Sequence, residues 1–319
     1  MKTRRINIRL KSIALLVTAA IVLAACNKDE TEDMTPTPTP TPQEKNIVET
    51  AQSLPQFSIL VDAVVKAGLV DALSADGQLT VFAPTNDAFE ALFATLGVNG
   101  IGDLTADQLT PILLYHVVNA KVMAADVTTG YVPTLNTTAP GNNSVLLYAE
   151  VSNGVSLNGS TSVTATDVEA SNGVIHVIDK VLLPTDIVDI AINNSNFSIL
   201  VEAVVKAGLV DALKAEGPYT VFAPTNAAFE ALFATLGVNG IADLTADQLT
   251  PILLYHVLNG NARAADVSSG MYPTLNTEAQ IDIMVSDSGV KLNGTSNVIA
   301  TDVQGTNGVI HVIDAVILP

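Results

Sequence analysis

The chain contains two copies of one long sequence. Residues 57–136 and 197–276 are identical at 64 of 80 positions when they are aligned without gaps, so that Phe57 corresponds to Phe197. The segment NGVIHVID then occurs at 172–179 and again at 307–314, at a slightly smaller offset between the copies. A solenoid repeat has roughly 20–50 residues, whereas this repeat has the size of a whole domain. The sequence therefore predicts two domains of one fold, domain 1 at residues 45–184 and domain 2 at residues 185–319.

The two copies differ in length. The offset falls by five residues between about Thr138 and Val151, where the first copy contains the turn-forming residues 140–143. Loops tolerate length changes at little cost in free energy. We therefore expect an exposed loop or hairpin end at this place, and packed helices and strands wherever the offset is constant.

The first part of each copy has the pattern of short helices around one strand. In the first copy, apolar residues recur at helical spacing over 57–65, and a second helical turn is expected at 69–73. A strand is expected at 79–83. It precedes a helix whose first turn is capped by Thr85 or Asn86, because both side chains can accept a hydrogen bond from a free backbone N–H.

The second part changes from helices to strands. Residues 105–108 form a capping-box sequence that predicts the start of a helix. Proline lacks a backbone N–H, so Pro111 is expected to end that helix and to begin a separate one over 112–118. The strands predicted after residue 118 are 145–151, 155–157, 162–168 and 174–183, with Asn153-Gly154 as a hairpin turn. Helices followed by strands indicate an α+β domain rather than alternating βαβ units.

The N-terminal segment has the form of a signal peptide, predicted at residues 1–25. Five basic residues precede an apolar run over 13–25, which is too short for a comfortable membrane-spanning helix. The sequence Leu-Ala-Ala-Cys at 23–26 resembles the lipobox of bacterial lipoproteins, which implies cleavage before Cys26 and lipidation of Cys26. The alternative is an ordinary signal peptide with an incidental cysteine. Cys26 is the single cysteine of the chain, so a disulfide within the chain is excluded.

Residues 26–44 are predicted to be a tether. The acidic residues of 27–33 resemble the surface-export signal of some bacterial lipoproteins, and the alternative is a solvated spacer. Four Thr-Pro pairs at 35–42 favour an extended polyproline II stalk of roughly 25 Å. We therefore expect a protein of the cell envelope that is anchored by lipid at the outer membrane, with exposure on the cell surface left open.

The composition excludes several classes of partner. The net charge of −18 repels nucleic acid and anionic head groups, so we expect no nucleic-acid partner and membrane contact through the N-terminal lipid only. Aromatic residues make up 4% of the chain and tryptophan is absent from it, which argues against a typical sugar-stacking platform. The core is expected to be aliphatic.

Three repeated segments resemble the signatures of one family. TVFAPTN at 80–86 and 220–226, a helix that ends in Tyr-His, and GVIHVID at 173–179 and 308–314 are similar to the fasciclin (FAS1) domain. The resemblance covers residues 45–319. It implies two fasciclin-like domains, each a wedge-shaped β-sandwich with flanking helices, and a role in extracellular adhesion. Domain 2 departs from domain 1 at Ala227, which replaces Asp87.

All four histidines lie in the repeated segments, at positions 116, 176, 256 and 311. Metal-ligand spacings and a Gly-x-Ser-x-Gly elbow are absent from the sequence, so we expect neither a metal site, nor a cofactor, nor catalytic residues. The simplest interpretation is a hydrogen-bonded structural histidine in each case. The alternative follows from the resemblance, because a Tyr-His pair is implicated in receptor binding in some fasciclin domains. It makes these residues candidates for partner binding: Tyr115, His116, Tyr255 and His256.

Repeated aspartates are found in the strand-rich part of each copy, at positions 126, 167, 266 and 302. They lack the alternating oxygen ligands of a dedicated calcium loop. We expect them to cap turns rather than to bind calcium.

These observations favour a non-enzymatic adhesion or matrix-binding protein. Its partner would be a cell-surface or matrix protein or a polysaccharide. Two domains could each make a weak contact, and joint binding would exceed either contact by roughly 10²–10⁴-fold. The alternative is an envelope protein that binds a glycan or a small ligand for nutrient capture. A hydrolase is a third class, against which the absence of catalytic motifs argues.

Overall fold

Each copy of the repeat folds into one seven-stranded sheet with flanking helices. The computed structural model describes residues 44–319, which form one compact unit. The predicted signal peptide at 1–25, the predicted lipidation site Cys26 and the tether up to residue 43 lie outside the described residues. Within residues 44–319, no helix has the length and the apolar character needed to cross a membrane.

Domain 1 contains five α-helices, seven strands and short 3-10 helices at 55–57, 101–103 and 124–126. The α-helices are α1 (Ile47–Gln52), α2 (Ser58–Lys66), α3 (Val70–Ser74), α4 (Asn86–Leu96) and α5 (Ala106–Tyr115). The strands are β1 (Leu79–Pro84), β2 (Val117–Val118), β3 (Gly130–Pro133), β4 (Leu146–Val151), β5 (Val155–Leu157), β6 (Thr161–Ala170) and β7 (Gly173–Ile178).

Domain 2 repeats the same α-helices and strands in the same order. The α-helices are α6 (Ile187–Ile192), α7 (Ser198–Lys206), α8 (Val210–Lys214), α9 (Asn226–Leu236) and α10 (Ala246–Tyr255). The strands are β8 (Tyr219–Pro224), β9 (Val257–Asn259), β10 (Gly270–Pro273), β11 (Gln280–Ser286), β12 (Gly289–Leu292), β13 (Ser296–Gly305) and β14 (Gly308–Ile313). Because both domains belong to one compact unit, the residue that separates them stays a prediction.

The sheet of domain 1 has the strand order β2-β1-β7-β6-β5-β4-β3, and domain 2 has the corresponding order. β1 and β7 are parallel, whereas the other neighbouring strands are antiparallel. The two ends of the sheet approach each other, since the backbone of Leu135 donates a hydrogen bond of 2.8 Å to Val117. The sheet therefore nearly closes on itself. The predicted α+β fold, a β-sandwich with flanking helices, is confirmed.

The central strand β1 separates two apolar clusters. Successive side chains of a strand point to opposite faces. Val81 and Ala83 pack against the helices α1 to α5, whereas Phe82 lies in the cluster that the curved sheet encloses. Each domain therefore has a helix-side core and a sandwich core on opposite faces of the same strand.

Three helices of domain 1, α1, α4 and α5, begin at a residue whose side chain caps the first turn. Thr85 is the cap of α4, because its side chain accepts a hydrogen bond from the backbone of Ala88. Asn86, the other predicted cap, instead binds the preceding helical segment through Ile59 N (3.0 Å) and Pro55 O (3.1 Å). The Thr105–Gln108 capping box at the start of α5 is confirmed in both directions.

The prediction that Pro111 divides this region into two helices is wrong. α5 runs without interruption through Pro111 to Tyr115, and the next residues form the strand β2. The missing N–H of Pro111 leaves only the carbonyl of Asp107 without its helical partner, and Asp107 is exposed to water at the first turn. Packing of the buried Leu109 and Leu113 holds the helix together across the proline.

The strand pairing refines the alignment of the two copies. Gly130 pairs with Ala149 in domain 1, and Gly270 pairs with Ile283 in domain 2, so Ala149 and Ile283 are counterparts on β4 and β11. The strands that follow the next hairpin, β5 and β12, align with an offset that is one residue larger. The net difference of five residues is therefore a six-residue extension before β4 and one extra residue in the β11–β12 hairpin. The expected loop is present as a turn at residues 140–142.

The extended loop of domain 1 contacts domain 2. Arg263 donates a hydrogen bond of 2.9 Å from Nη1 to Asn143 Oδ1. Tyr131 and Leu146 pack against the helix-side core of domain 2, and Asn194 Nδ2 donates to the Tyr131 hydroxyl at 3.0 Å. Burial raises the pKa of Tyr131 to about 12. The two domains are thus joined by an interface with both apolar and hydrogen-bonded contacts.

The two copies differ in sequence where they touch. On domain 1, the outer face of β3 and β4 carries Tyr131, Leu146 and Tyr148, and the corresponding residues of domain 2 are Met271, Gln280 and Asp282. The face that domain 1 presents to domain 2 is therefore aromatic and apolar, whereas its counterpart in domain 2 is largely polar.

The opposite side of the interface shows the same divergence. In domain 2, Gln304 is buried and donates from Nε2 to Asn261 Oδ1 at 2.9 Å. In domain 1, the corresponding residues are Glu169 and Lys121, which form an exposed ion pair at 2.8 Å. Burying an ion pair requires removal of water from both charges. A neutral amide pair therefore replaces the charged pair at the position that the interface covers.

Candidate functional site

The predicted partner-binding residues lie at the ends of the last helix of each domain. Tyr115 is the last residue of α5, and His116 follows as its C-cap with right-handed helical geometry. Tyr255 and His256 occupy the same positions after α10. All four side chains are buried, at 0–3% exposed. A partner cannot reach them from the open surface in this structure, and their role in binding stays a prediction.

Tyr115 ties the last helix to the sandwich. Its hydroxyl donates a hydrogen bond of 3.0 Å to the carbonyl of Leu146 and accepts one of 3.0 Å from Asn158 Nδ2. Thr185 Oγ1 lies 3.2 Å away. Burial raises the pKa of Tyr115, because the phenolate would lose its hydration. The hydroxyl is therefore fully engaged inside the protein.

His116 connects α5 to the C-terminal segment of domain 1. The backbone N–H of Leu182 donates to Nε2 at 2.9 Å, so Nδ1 carries the proton and donates to the carbonyl of Ile112 at 2.7 Å. The carbonyl of His116 accepts a hydrogen bond of 2.9 Å from Phe82 on β1. Burial lowers the pKa of His116 to about 4, so the ring is neutral at pH 7.

Domain 2 repeats both networks. Burial lowers the pKa of His256 to about 4 as well. The hydrogen-bonded pairs are Tyr255 with Gln280 (2.9 Å) and Asn293 (2.8 Å), and His256 with Ile252 (2.8 Å) and Ile317 (3.2 Å). The geometry agrees with the simplest interpretation of these histidines, which is structural.

The other two histidines, His176 and His311, stabilise the sandwich through hydrogen bonds. His176 is buried against Phe82, with ring centroids 5.8 Å apart, and its Nε2 donates to the carbonyl of Val122 at 2.9 Å. Its Nδ1 accepts from the backbone of Asp167 at 3.3 Å. The Asp167 carboxylate in turn accepts from Ala124 N at 2.9 Å. His311 and Asp302 form the equivalent contacts in domain 2, and burial lowers the pKa of His311.

These aspartates therefore stabilise turns in the described structure. Asp167 and Asp302 adopt positive φ angles of 59° and 61°, and their carboxylates hold the loop before β3 or β10 through a backbone N–H. Within residues 44–319, groups of three or more His, Cys, Asp or Glu side chains that could hold a metal ion are not found.

The histidines of the Tyr-His pairs line a surface feature, which we name the apolar cleft. In domain 1 it lies between the helices α1, α2 and α3 and the strands beneath them, and Leu113, His116, Val117 and Ile175 contribute to its floor. Val65 lines it and is 58% exposed. The cleft is thus open to the surface, although the Tyr-His motif beneath it is buried.

The two domains have the same cleft. All fifteen residues that line it in domain 1 have identical counterparts that line it in domain 2, where Ile192 and Phe222 are added. Its volume is about 30 Å³ in domain 1 and about 130 Å³ in domain 2. Ile192, which replaces Gln52, and Val205 are 55% and 61% exposed. The cleft of domain 2 is therefore larger and has a more apolar rim.

Sequence reasoning identified the motif but missed the cleft. The signal was present in α2, where Leu60, Val61, Val64 and Val65 form an apolar stripe wider than a core contact requires. Leu60 and Val64 are buried, whereas Val65 is exposed at the rim. The apolar residues of α2 that are not needed for contact with the core would have indicated an apolar surface.

Comparisons with known proteins identify relatives of both copies of the repeat. The family profile described as Fasciclin domain matches residues 55–184 and 195–319. Protein sll1483 of Synechocystis is 51% identical over 42% of this chain and 73% of its own length. Human periostin is 29% identical over 86% of this chain, and the match spans 31% of periostin. Transforming growth factor-beta-induced protein ig-h3 of Sus scrofa is 29% identical over 76% of this chain and 35% of its own length.

Among solved structures, a FAS1 domain pair from the insect cell adhesion molecule Fasciclin I matches with a TM-score of 0.49 and 21% identity. The match covers 81% of this chain and 95% of the insect chain. Two matches to the family profile, one in each copy of the repeat, together span most of the chain. The chain belongs to the Fasciclin domain family and contains two such domains.

Proposed function

We propose that this protein is a non-enzymatic adhesion protein of the cell envelope, which binds a cell-surface or matrix partner through its two fasciclin domains. The observation that carries the proposal is the pair of matching apolar clefts in one compact unit. Anchoring through lipid at Cys26 and an outer-membrane location are part of the same proposal, and they are supported by the N-terminal sequence alone.

The cleft favours a partner that offers apolar side chains. Its lining is aliphatic except for one phenylalanine and one histidine whose ring nitrogens are both engaged. An aliphatic or aromatic side chain of a protein would bury apolar surface there, at roughly 25 cal/mol per Å². A polysaccharide, with hydroxyl groups on every ring, would leave hydrogen bonds unmade. Of the two classes of partner expected, a protein is therefore favoured.

The Tyr-His pairs take a supporting role in this proposal. His116 and His256 form part of the cleft floor and are buried there. Tyr115 and Tyr255 hold the helix end to the sandwich through their hydroxyl groups. The motif then acts on binding mainly by shaping the cleft.

Substitutions at the exposed rim test the proposal. Val65→Asp and Val205→Asp place a charge at the two clefts without removing a buried side chain. Leu96→Asp is the matched control, since Leu96 is also exposed on a helix but does not line the cleft. Binding to immobilised matrix proteins and to cell surfaces would be measured for each variant, together with the melting temperature.

We expect each single cleft variant to weaken binding and the double variant to weaken it by roughly 100-fold or more, because joint binding by two domains is then lost. The control should bind like the unmodified protein. Unchanged binding by the correctly folded double variant would contradict the proposal.

A further inference from the structure

We propose that domain 1 contains a second binding site, which is a cavity inside its sandwich. This cavity binds a small uncharged apolar molecule of roughly the size of a single ring. The cavity has a volume of about 220 Å³. Phe82, Val118, Val132, Ala149 and Leu157 line it. It lies on the face of β1 opposite to the apolar cleft, because Phe82 and Val81 point in opposite directions.

In domain 2, three larger side chains stand at positions that line the cavity in domain 1. The counterparts of Val118, Val132 and Ala149 are Leu258, Tyr272 and Ile283. Leu258 and Ile283 are buried in the sandwich core of domain 2, and Tyr272 packs against that core.

The rest of the lining is similar in the two domains, and it differs where Ala262 replaces Val122 and Ser268 replaces Thr128. Phe82, Val155 and Leu157 correspond to Phe222, Val290 and Leu292. In domain 2, larger side chains pack in the sandwich at these three positions. Protein interiors contain few voids larger than a water molecule, and an unfilled cavity lowers stability. The three smaller side chains at these positions therefore leave space for the cavity in domain 1.

The lining selects the chemistry of the ligand. It is almost entirely carbon, and the hydroxyl of Thr80 is already engaged with Ala120 O at 2.6 Å and Val122 N at 2.9 Å. A charged or strongly polar ligand would lose its hydration without gaining partners inside. An apolar cavity of about 150 Å³ binds benzene in another protein, so about 220 Å³ suits one ring with a short substituent.

The cavity is accessible from the surface of domain 1. Asp126 and Thr128 line it and are exposed, and the neighbouring Val122 and Val127 are half-buried. These residues belong to the segment between β2 and β3. A ligand can enter there while the contacts of Tyr131 and Asn143 with domain 2 remain intact.

Methyl NMR of the full chain during titration with toluene tests the proposal. The methyl groups of Val118, Val155 and Leu157 report on the cavity, and those of their domain 2 counterparts provide the internal control. We expect saturable shifts in the first set and unchanged positions in the second. Methyl groups of the apolar clefts report separately, so binding at a cleft is distinguished from binding in the cavity.

Ala149→Ile should weaken toluene binding at the cavity at least tenfold and leave the melting temperature unchanged or raised, because isoleucine occupies this position in domain 2. Val118→Leu is the second variant if Ala149→Ile does not fold, since leucine is likewise found at that position in domain 2. Absence of saturable shifts, equal shifts in both sandwich cores, or undiminished binding by a folded cavity-filling variant would each overturn the proposal.

Discussion

His116 and His256 each stand where the end of a helix, the central strand and the last segment of a domain meet. Both rings are neutral, because one nitrogen accepts from a backbone N–H and the other donates to a helical carbonyl. Their low pKa values, about 4 in each case, follow from complete burial. At this scale, a residue type that often marks chemistry serves mainly to join backbone segments.

The buried histidines predict a specific loss of stability in acid. An unfolded histidine has a pKa of about 6.5, so it is protonated below that pH. The buried histidine of the folded chain stays neutral until about pH 4. The stabilising contribution is therefore complete above pH 6.5 and is lost as the pH falls towards 4. The loss should approach about 3 kcal/mol for each histidine. Urea unfolding between pH 7.5 and 4.5 measures it.

His116→Ala isolates this effect from the carboxylates, which also titrate. At pH 7 the variant should be less stable by roughly 2–4 kcal/mol, since Leu182 N and Ile112 O lose their partner. The difference from the unmodified protein should shrink on acidification. A constant difference would contradict the assigned protonation. Lost binding at an unchanged melting temperature would instead support direct contact of His116 with a partner.

At the scale of elements, local sequence signals account for most helix starts and strands. The capping box at Thr105 and the hairpin at Asn153-Gly154 both form as predicted, because the groups that define them are neighbours in sequence. The prediction at Pro111 was wrong, since the packing of Leu109 and Leu113 outweighs the local effect of proline. The predicted strand at 174–183 also ends earlier, at Ile178.

Pro111→Ala should stabilise domain 1 by about 1 kcal/mol. Alanine restores one helical hydrogen bond, and the larger conformational freedom of the unfolded chain offsets part of the gain. Pro251→Ala in α10 is the matched variant, because the two helices have identical sequences. Thermal and urea unfolding would measure both. A loss of stability in both variants would show that the prolines fit these helices better than the general preference suggests.

At the scale of the molecule, the two domains contact each other through residues that differ between the two copies of the repeat. Tyr131 and Gln304 occupy positions whose counterparts are Met271 and Glu169. The contact is therefore specific to the order in which the domains are joined. Under the proposed function, an interface that keeps the two clefts at one separation would favour joint binding to a partner with repeated sites.

Gln304→Glu should loosen the contact between the domains. It places a carboxylate where the side chain is buried beside Asn261, and a buried unpaired charge is strongly unfavourable. Glu169→Gln is the control, since that residue of domain 1 is exposed. We expect Gln304→Glu to lower the melting temperature and to increase the maximum dimension in small-angle X-ray scattering. Identical scattering and melting in both variants would contradict the assigned interface.

The sequence by itself determined the number of domains, their family and most of their elements. It could do so because a repeat of 64 identities in 80 positions, helix caps and hairpin turns depend on residues that are close along the chain. It also predicted a loop at the length difference, but not that Asn143 in this loop would contact Arg263.

The tertiary structure alone decided which residues a partner or a ligand can reach. Tyr115 and His116 resemble a binding motif in sequence, yet the fold buries both and exposes Val65 above them. The side chain of Ile283 is larger than that of Ala149 by a few carbon atoms. Because both residues lie in a sandwich core, the smaller side chain leaves space for a cavity in domain 1. Burial and empty space depend on what lies across the sheet, and those neighbours are distant along the chain.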